Sequence, residues 1–296
     1  MSAALHCNIC LTDVNGEVER ATARSNVRRF KDERFTVWRC PHCKSIHAQD
    51  EVDLDYYYSG YPFHGGTELD WAERAVYRNL TRRLERAGLQ KHHQILDYGC
   101  GSGALVRYLR EAGYENAQGY DHYSPEFHKA ERLEQRYDCI VSQDVIEHVA
   151  EPWDLLRTFE KLANPGALIS IGTPNAEGVD LKDTEWWVHA LHQPYHRHIL
   201  SGTVLRDAGL KLGWEVAHYY PTEYVNTLVP FINLRFVQYY MQCFDNTMDV
   251  AFDRNAKNWR LFNPLTLYYG LFGYFHAHDS GVMVVFRKPR AAALTA

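Results

Sequence analysis

A run of glycines directly after a short apolar strand is the feature that most constrains the fold. Residues 93–97 predict a buried strand, Gly99, Gly101 and Gly103 follow, and residues 104–112 predict a helix. Glycine adopts positive φ angles easily and lets a ligand approach the backbone closely. In open α/β sheets the ligand lies beyond the carboxyl end of such a strand. The turn therefore predicts a ligand-binding strand–turn–helix unit.

The rest of the chain continues this alternation of strands and helices. Further helices are predicted at 67–88, 152–163 and 201–208, and further strands at 117–121, 137–142, 167–172, 214–219 and 281–287. The fold class is therefore α/β, with a mostly parallel, Rossmann-like sheet and helices on both faces. Residues 221–279 interrupt the alternation with an aromatic-rich insertion, which would form either a wall of an acceptor pocket or additional core and subunit contact.

Two carboxylates bear on which cofactor the turn would bind. The spacing Gly99-x-Gly101-x-x-Ala104 also satisfies the dinucleotide pattern. Asp97, at the mouth of the turn, would repel a pyrophosphate, whereas it suits the ammonium and sulfonium groups of S-adenosylmethionine. Asp121, at the end of the next strand, could accept hydrogen bonds from ribose hydroxyls of either cofactor. Asp97 thus favours S-adenosylmethionine over a nicotinamide dinucleotide.

Two Cys-x-x-Cys pairs lie in the first 60 residues, which otherwise look irregular and polar. Cys7 and Cys10 form one pair, Cys40 and Cys43 the other, and residues 11–39 separate them. Four thiolates in two such pairs suit tetrahedral zinc, and four protein ligands leave no open position for chemistry. Residues 1–60 therefore predict a zinc-ribbon-like module with a structural zinc, followed by a catalytic domain over 61–296.

Several motifs together resemble the class I S-adenosylmethionine-dependent methyltransferases, and most of all the subgroup related to ubiquinone-biosynthesis O-methyltransferases. They are Asp97-x-Gly99-x-Gly101-x-Gly103, Asp121, residues 137–149 with Glu147 and His148, Pro152, the Cys40-Pro-x-Cys43 knuckle, residues 56–61 and Pro194-x-His196. The likeness covers nearly the whole chain outside 221–279. It has one departure: only residues 122–137 separate Asp121 from Asp138, so the third strand and its adenine contact are shortened or missing.

The resemblance implies that Asp97, Gly99, Gly101, Gly103 and Asp121 bind S-adenosylmethionine. Gln143 ends the strand beside them and is expected to line the same pocket. His148 follows that strand, and an imidazole titrates near neutrality, which suits a general base. The resemblance adds His196 as a residue facing the acceptor. Histidines 189, 192, 196 and 198, with 276, 278 and Asp279, also allow a second metal site, but Pro194 breaks the helix that would align the first three.

The expected function is methyl transfer to a small-molecule acceptor, at a hydroxyl oxygen. Two alternatives remain open: a nucleotide-sugar C-methyltransferase, and a zinc-ribbon binding protein whose methyltransferase-like domain is inactive. The net charge of −5 and the lack of a basic face argue against nucleic acid as a partner. No apolar run approaches the roughly 20 residues that span a bilayer, and residues 1–10 lack the pattern of a secretory signal. A cytoplasmic protein, with homodimerisation through the insertion as one option, is expected.

Overall fold

The computed structural model describes residues 5–59, 61, 68–252, 263–276 and 280–290. The strands are β1 (Leu5–Cys7), β2 (Thr12–Val14), β3 (Arg20–Arg24), β4 (Arg34–Arg39), β5 (Ile46–Ala48), β6 (Ile95–Tyr98), β7 (Ala117–Tyr120), β8 (Tyr137–Gln143), β9 (Ala163–Pro174), β10 (His198–Ile199), β11 (Glu215–Tyr220) and β12 (Gly281–Arg287). The helices are α1 (Leu54–Tyr58), α2 (Trp71–Arg86), α3 (Ala104–Glu111), α4 (Pro152–Leu162), α5 (Val188–Leu191), α6 (Gly202–Lys211), α7 (Leu234–Gln242), α8 (Asp249–Phe252) and α9 (Pro264–Phe272).

The largest sheet has the strand order β11–β12–β9–β8–β6–β7. Strand β6 is parallel to β7 and β8, and β8 is parallel to β9. Strand β12 runs antiparallel to both β9 and β11. The predicted α/β fold is confirmed. Because β6 and β8 are adjacent and parallel, their carboxyl ends lie at the same sheet edge, where the glycine turn begins.

Both faces of this sheet are covered, as alternating side chains along its strands show. Ile95 and Val141 pack in one buried cluster with side chains of α2 and α3. Their neighbours Leu96 and Ile140 pack in another cluster with side chains of α4 and α6. Successive side chains in a strand point to opposite faces, so strands that are apolar at every position are buried on both sides.

The expected loss of the third strand is confirmed among the described residues. Strand β7 lies at the edge of the sheet, and the segment from Asp121 to Arg136 contains no strand, only a 3₁₀ turn at Ala130–Leu133. The adenine-contacting element that resembling proteins place there is therefore missing from this sheet.

The expectation that the first 60 residues are irregular was wrong. β1 and β2 form a hairpin, while β3, β4 and β5 form an antiparallel sheet whose fourth strand is β10. These strands are three to six residues long, too short for an alternating pattern to stand out from turn-rich sequence.

The N-terminal strands share a core with the large sheet. Cys7, Ile9 and Trp38 belong to the same buried cluster as α4 and α6. The Trp153 indole N–H donates to the main-chain oxygen of Ile9 at 2.9 Å. Arg39 donates to the main-chain oxygen of Ala176 at 2.8 Å. The division at residue 60 stays a prediction, but the two parts pack as one body here.

The described part of the 221–279 insertion, between β11 and β12, consists of α7, α8 and α9 with their loops. On α9 the small residues Thr266 and Gly270 are buried, while large apolar side chains such as Leu271 and Phe272 are about half exposed. Among the residues with described positions, no helix combines the length and apolar character needed to cross a membrane.

Gly209 tests how tightly α6 packs on the sheet. A Cβ at Gly209 would lie 2.3 Å from Cε1 of Phe286, which is fully buried. We expect Gly209→Ala to lower the free energy of unfolding by at least about 1 kcal/mol, because the clash outweighs the gain in helix propensity. The urea midpoint measures this. The neighbouring Leu210→Ala, at an exposed side chain, should change stability by about 0.5 kcal/mol or less, and equal midpoints for both variants would contradict the packing.

Candidate active site

The glycine turn leaves β6 in a conformation that only glycine adopts easily. Gly99, Gly101 and Gly103 have φ angles of 81°, 51° and 73°. A Cβ at Gly99 would lie 2.3 Å from Val145, and one at Gly103 would lie 2.3 Å from Phe127. A Cβ at Gly101 would meet nothing within 4 Å. Gly101 therefore presents bare backbone to open space, as a ligand-binding turn requires.

Asp97 and Asp121 lie beside this turn. Asp97 is buried on β6, and its pKa is raised to about 7 by burial and by the charge of Asp121. Asp121 accepts hydrogen bonds from the main-chain N–H groups of Gly101, Tyr123 and Ser124, at 2.8, 2.8 and 2.9 Å. One carboxylate thus ties the glycine turn to the loop after β7. Its predicted contact with ribose would use the remaining acceptor capacity of the same two oxygens.

Gln143 ends β8 and packs against the neighbouring strand. Its amide nitrogen donates to the Ser170 hydroxyl at 3.3 Å, and its buried Oε1 has no hydrogen-bond partner. A buried amide oxygen without a partner can accept a hydrogen bond from a ligand at this sheet edge, as expected of a residue that lines the cofactor pocket. Asp144 follows with a positive φ of 55°, and its side chain lines a cavity next to the turn.

That cavity has a volume of about 380 Å³ and is called the acceptor cavity here. Its polar lining includes three carboxylates and four imidazoles together with Asn26, Gln238 and Ser280, and no lysine or arginine is among the described residues that line it. Aromatic and apolar side chains complete the walls, and the insertion supplies several of the apolar ones: Leu234, Val237, Met241, Met248 and Ala251. The acceptor cavity thus carries no positive lining charge and is mostly apolar.

The predicted catalytic histidines meet in this cavity. The ring centroids of His148 and His196 are 4.8 Å apart. Nδ1 of His148 lies 3.1 Å from the main-chain oxygen of Tyr195, and Nδ1 of His196 lies 2.9 Å from that of Ala190. Since a carbonyl oxygen only accepts, each Nδ1 carries the hydrogen and each Nε2 keeps its lone pair. Burial lowers the pKa of His148 to about 4 and that of His196 well below its usual value, so both rings are neutral at pH 7. The expectation that His148 titrates near neutrality was therefore wrong, because the ring is buried.

Glu147 also lies in the site, although the sequence predicted no role for it. It precedes His148 in the segment 137–149 that resembles the methyltransferases. It is fully buried, its Oε2 accepts from the Thr173 hydroxyl at 2.9 Å, and its Oε1 has no hydrogen-bond partner. Oε1 lies 3.9 Å from Nε2 of His196. Burial, followed by the nearby charge of Asp144, raises the pKa of Glu147 well above its ordinary value.

The other histidines of the 189–198 segment have different partners. Both ring nitrogens of His189 contact side-chain amides, at 3.1 Å from Asn26 and 3.0 Å from Asn246. Those of His192 contact Asn26 at 2.6 Å and the Tyr61 hydroxyl at 3.2 Å. The hydrogen bonds of these two imidazoles therefore hold neighbouring segments of the cavity wall together. His278 and Asp279, the more distant members of the imagined metal site, lie outside the described residues.

The four predicted zinc ligands come together in the N-terminal part. One sulfur from each of Cys7, Cys10, Cys40 and Cys43 lies within 4.8 Å of the others. The sulfurs of Cys7 and Cys43 are 3.6 Å apart, and those of Cys10 and Cys40 are 3.8 Å apart. A tetrahedron with zinc–sulfur bonds of about 2.3 Å has edges of about 3.8 Å, so the cluster suits zinc.

Two similar turns shape the zinc cluster. In each, a main-chain N–H reaches back to the first cysteine carbonyl: Leu11 to Cys7 at 2.8 Å and Lys44 to Cys40 at 3.0 Å. Leu11 and Lys44 both have positive φ, 60° and 65°. The Nε2 of His47 lies 3.2 Å from the Cys7 sulfur, where it can donate a hydrogen bond to a thiolate.

Comparison with known proteins agrees with this site. Residues 71–219 match the methyltransferase domain family, and the chain belongs to that family. This confirms the expected class I S-adenosylmethionine-dependent methyltransferase class. A ubiquinone biosynthesis O-methyltransferase from Caulobacter vibrioides is 30% identical over 131 residues, covering 36% of this chain and 46% of the relative. One from Yersinia pestis is 26% identical, covering 36% and 51%.

The alignments thus span about half the length of these curated relatives. Among solved structures, coclaurine N-methyltransferase bound to N-methylheliamine and SAH gives a TM-score of 0.41 at 20% identity, covering 77% of this chain and 76% of that one. A mycolic acid cyclopropane synthase complexed with SAH and CTAB gives 0.45 at 14%, covering 71% and 83%.

The pKa of Asp97 predicts a pH dependence of stability in the cofactor-free protein. Between about pH 4 and pH 7 the folded chain keeps a proton on Asp97 that the unfolded chain has released, because the ordinary pKa is 3.8 and the folded pKa about 7. Stability from this group is therefore lost as the pH rises through that window. Chemical unfolding of wild type and Asp97→Asn across pH 4–8 measures it. The free energy of unfolding of the variant should rise relative to that of wild type by a few kcal/mol up to about pH 7 and then stay constant. Parallel curves of unfolding free energy against pH would contradict the raised pKa of the buried Asp97.

Proposed function

We propose that this chain transfers a methyl group from S-adenosylmethionine to a hydroxyl oxygen of a small molecule in the acceptor cavity. The observation that carries the proposal is the meeting of a glycine turn of the cofactor-binding type with a cavity holding two imidazole lone pairs, at one sheet edge. The names of the ubiquinone-biosynthesis relatives support oxygen as the methyl-accepting atom.

The cofactor would lie over Gly99, Gly101 and Gly103, where Gly101 leaves space for it. When bound, S-adenosylmethionine supplies an electrophilic methyl group on a positively charged sulfur. Asp97 is placed to attract positive charge there, Asp121 to accept ribose hydroxyls, and Gln143 to accept a hydrogen bond at its unsatisfied Oε1. The adenine contacts are not assigned, because the strand that would provide them is missing.

His148 and His196 are proposed as the catalytic residues. As the acceptor oxygen forms its bond to the methyl carbon, the carbon–sulfur bond breaks and its electron pair stays on sulfur. The hydroxyl proton passes to an Nε2 lone pair, which Tyr195 and Ala190 keep available by holding each Nδ1–H. The mostly apolar cavity would align the acceptor and limit competing water.

The charge of the acceptor cavity bears on the alternatives. A nucleotide-sugar acceptor carries a diphosphate, yet Asp144, Glu147 and Glu223 line the cavity and no lysine or arginine is among its described lining residues. A buried diphosphate without a cationic partner is costly, so a nucleotide-sugar C-methyltransferase is disfavoured. An inactive binding protein would not need the glycine turn and the two oriented imidazoles, and family membership disfavours a nicotinamide oxidoreductase.

We further propose that Cys7, Cys10, Cys40 and Cys43 bind one structural zinc. Thiolate spacing supports this assignment, and four protein ligands leave zinc without an open position. The two-domain division, a cytoplasmic location, a lack of nucleic-acid partners and a homodimer stay predictions.

Cofactor binding can be tested with two matched glycine variants. Gly101 and Gly213 both have positive φ, and a Cβ at either would meet nothing within 4 Å. Alanine at each should therefore cost a similar amount, about 1–2 kcal/mol of stability. In calorimetric titration with S-adenosylhomocysteine, Gly101→Ala should bind at least about tenfold more weakly than wild type, a loss of about 1.4 kcal/mol. Gly213→Ala should bind like wild type. A folded wild type that fails to bind would refute the proposed function.

The zinc assignment predicts that Cys40→Ser removes one zinc equivalent per chain. The whole chain should also lose several kcal/mol of stability in one transition, since the cluster shares the core of α4 and α6. Atomic emission after gel filtration and thermal unfolding by circular dichroism measure the two effects. Cys243→Ser, outside the cluster, is the control, and an unchanged zinc content in Cys40→Ser would contradict the assignment.

A further inference from the structure

A second cavity lies where the N-terminal strands meet the residues directly after His196, and it is called the junction cavity here. Its volume is about 260 Å³, and none of the described residues lines both this cavity and the acceptor cavity. Its lining includes the exposed residues His6 and Gln49 as well as the buried residues Trp38 and His198. The junction cavity therefore runs from the surface into the contact between the two parts of the chain, and it is larger than a single ordered water needs.

Arg197 brings a positive charge to the junction cavity without a counterion. Its guanidinium makes no hydrogen bond or ion pair with any residue that the structure describes. No aspartate or glutamate is among the lining residues with described positions. The main chain of Arg197 is held from both sides, since its N–H donates to the oxygen of Glu147 and its oxygen accepts from the N–H of Ala48, each at 2.9 Å. A guanidinium without a counterion is suited to bind an anion through two parallel hydrogen bonds.

Two buried polar atoms of the junction cavity also lack partners. Nδ2 of Asn8 donates to the main-chain oxygen of Ala150 at 2.9 Å, which identifies the other amide atom as Oδ1, and that oxygen is buried without a partner. Nε2 of His198 is buried without a partner as well, on a residue that is 3% exposed. Buried polar atoms of folded proteins are nearly always hydrogen-bonded, so these two atoms indicate a polar ligand.

The three groups together restrict the chemistry of that ligand. Water would satisfy Asn8 and His198 but would leave Arg197 without a counterion. An anion without hydroxyl groups would pair with Arg197 but would bring only acceptors to Oδ1 of Asn8, which itself only accepts. A hydroxyl group donates to this oxygen, and it can pair with an imidazole nitrogen in either role. An anion that also carries hydroxyl groups satisfies all three groups at once.

We infer that the junction cavity binds a small hydroxylated anion, a phosphate ester or a carboxylate of a polyol, with its charge on Arg197 and its hydroxyl groups on Asn8 and His198. This site goes beyond the proposed methyl transfer and does not depend on it. Because Arg197 and His198 directly follow His196 in the chain, a ligand bound here contacts the segment that forms one wall of the acceptor cavity.

Calorimetric titration of the purified full chain at pH 8, in buffer free of phosphate, tests the inference. The probes are glycerol 3-phosphate and glycerate, each beside its counterpart without hydroxyl groups, methyl phosphate and acetate. At least one hydroxylated probe should bind with a Kd below about 1 mM, and its counterpart should bind about tenfold more weakly. Tighter binding of glycerol 3-phosphate would indicate a phosphate ester as the ligand, and tighter binding of glycerate would indicate a carboxylate.

Arg197→Gln should weaken binding of the hydroxylated anion at least about tenfold, because it removes the charge and the two parallel donors. Asn8→Ala should reduce the preference for the hydroxylated probe over its counterpart. Arg157→Gln is the matched control, since it removes an exposed guanidinium of α4 that is paired with Asp154 outside the junction cavity, and it should bind like wild type. Near-ultraviolet circular dichroism checks that each variant is folded.

Hydrogen exchange of the wild type adds a measurement that needs no variant. The bound anion should slow amide exchange in residues 46–49 and 197–199. Failure of both hydroxylated probes to bind, equal binding by folded Arg197→Gln, or slowed exchange confined to other parts of the chain would overturn the inference.

Discussion

The antiparallel pairing of β10 with β5 is the contact on which the arrangement of the site depends. It joins His198 to His47 and Ile199 to Ile46, so the segment carrying the cavity histidines is a strand of the N-terminal sheet. Directly after it, the Ser201 hydroxyl donates to the main-chain oxygen of Cys43 at 3.1 Å, and the Ser201 hydroxyl oxygen caps α6 by accepting from the Val204 N–H. The position of His196 is therefore set from the N-terminal side as much as from the large sheet.

This arrangement explains which parts of the molecule could be predicted from the sequence. Local signals were sufficient for the glycine turn, for β12 and for the Ser201 cap, because each depends on residues close together in the chain. The spacing of the cysteines was sufficient to predict that four sulfurs distant in the sequence lie together. The short strands β1–β5 were not predicted, since their stability comes from pairing with one another, from the pairing of β5 with β10 and from the shared core, none of which leaves a local pattern.

The roles of Glu147 and Glu223 could not be predicted for a similar reason. A glutamate in a sequence is by default a solvated residue, and only the folded chain reveals that Glu147 is buried under Thr173 and faces two imidazoles. Conversely, the short interval after Asp121 was a reliable signal, because a strand and its crossover cannot fit in so few residues.

The shared core of the cysteine cluster and α4 has a consequence for the history of such chains. A module that folds by itself can be exchanged between genes, because it buries its apolar residues without help from the rest of the chain. Here Ile9 and Trp38 of the N-terminal part pack in the same core as Trp153 of α4. Without its neighbour, each part would therefore expose apolar surface. The two parts can change only together, and substitutions on one side of the contact should be accompanied by compensating substitutions on the other as lineages diverge.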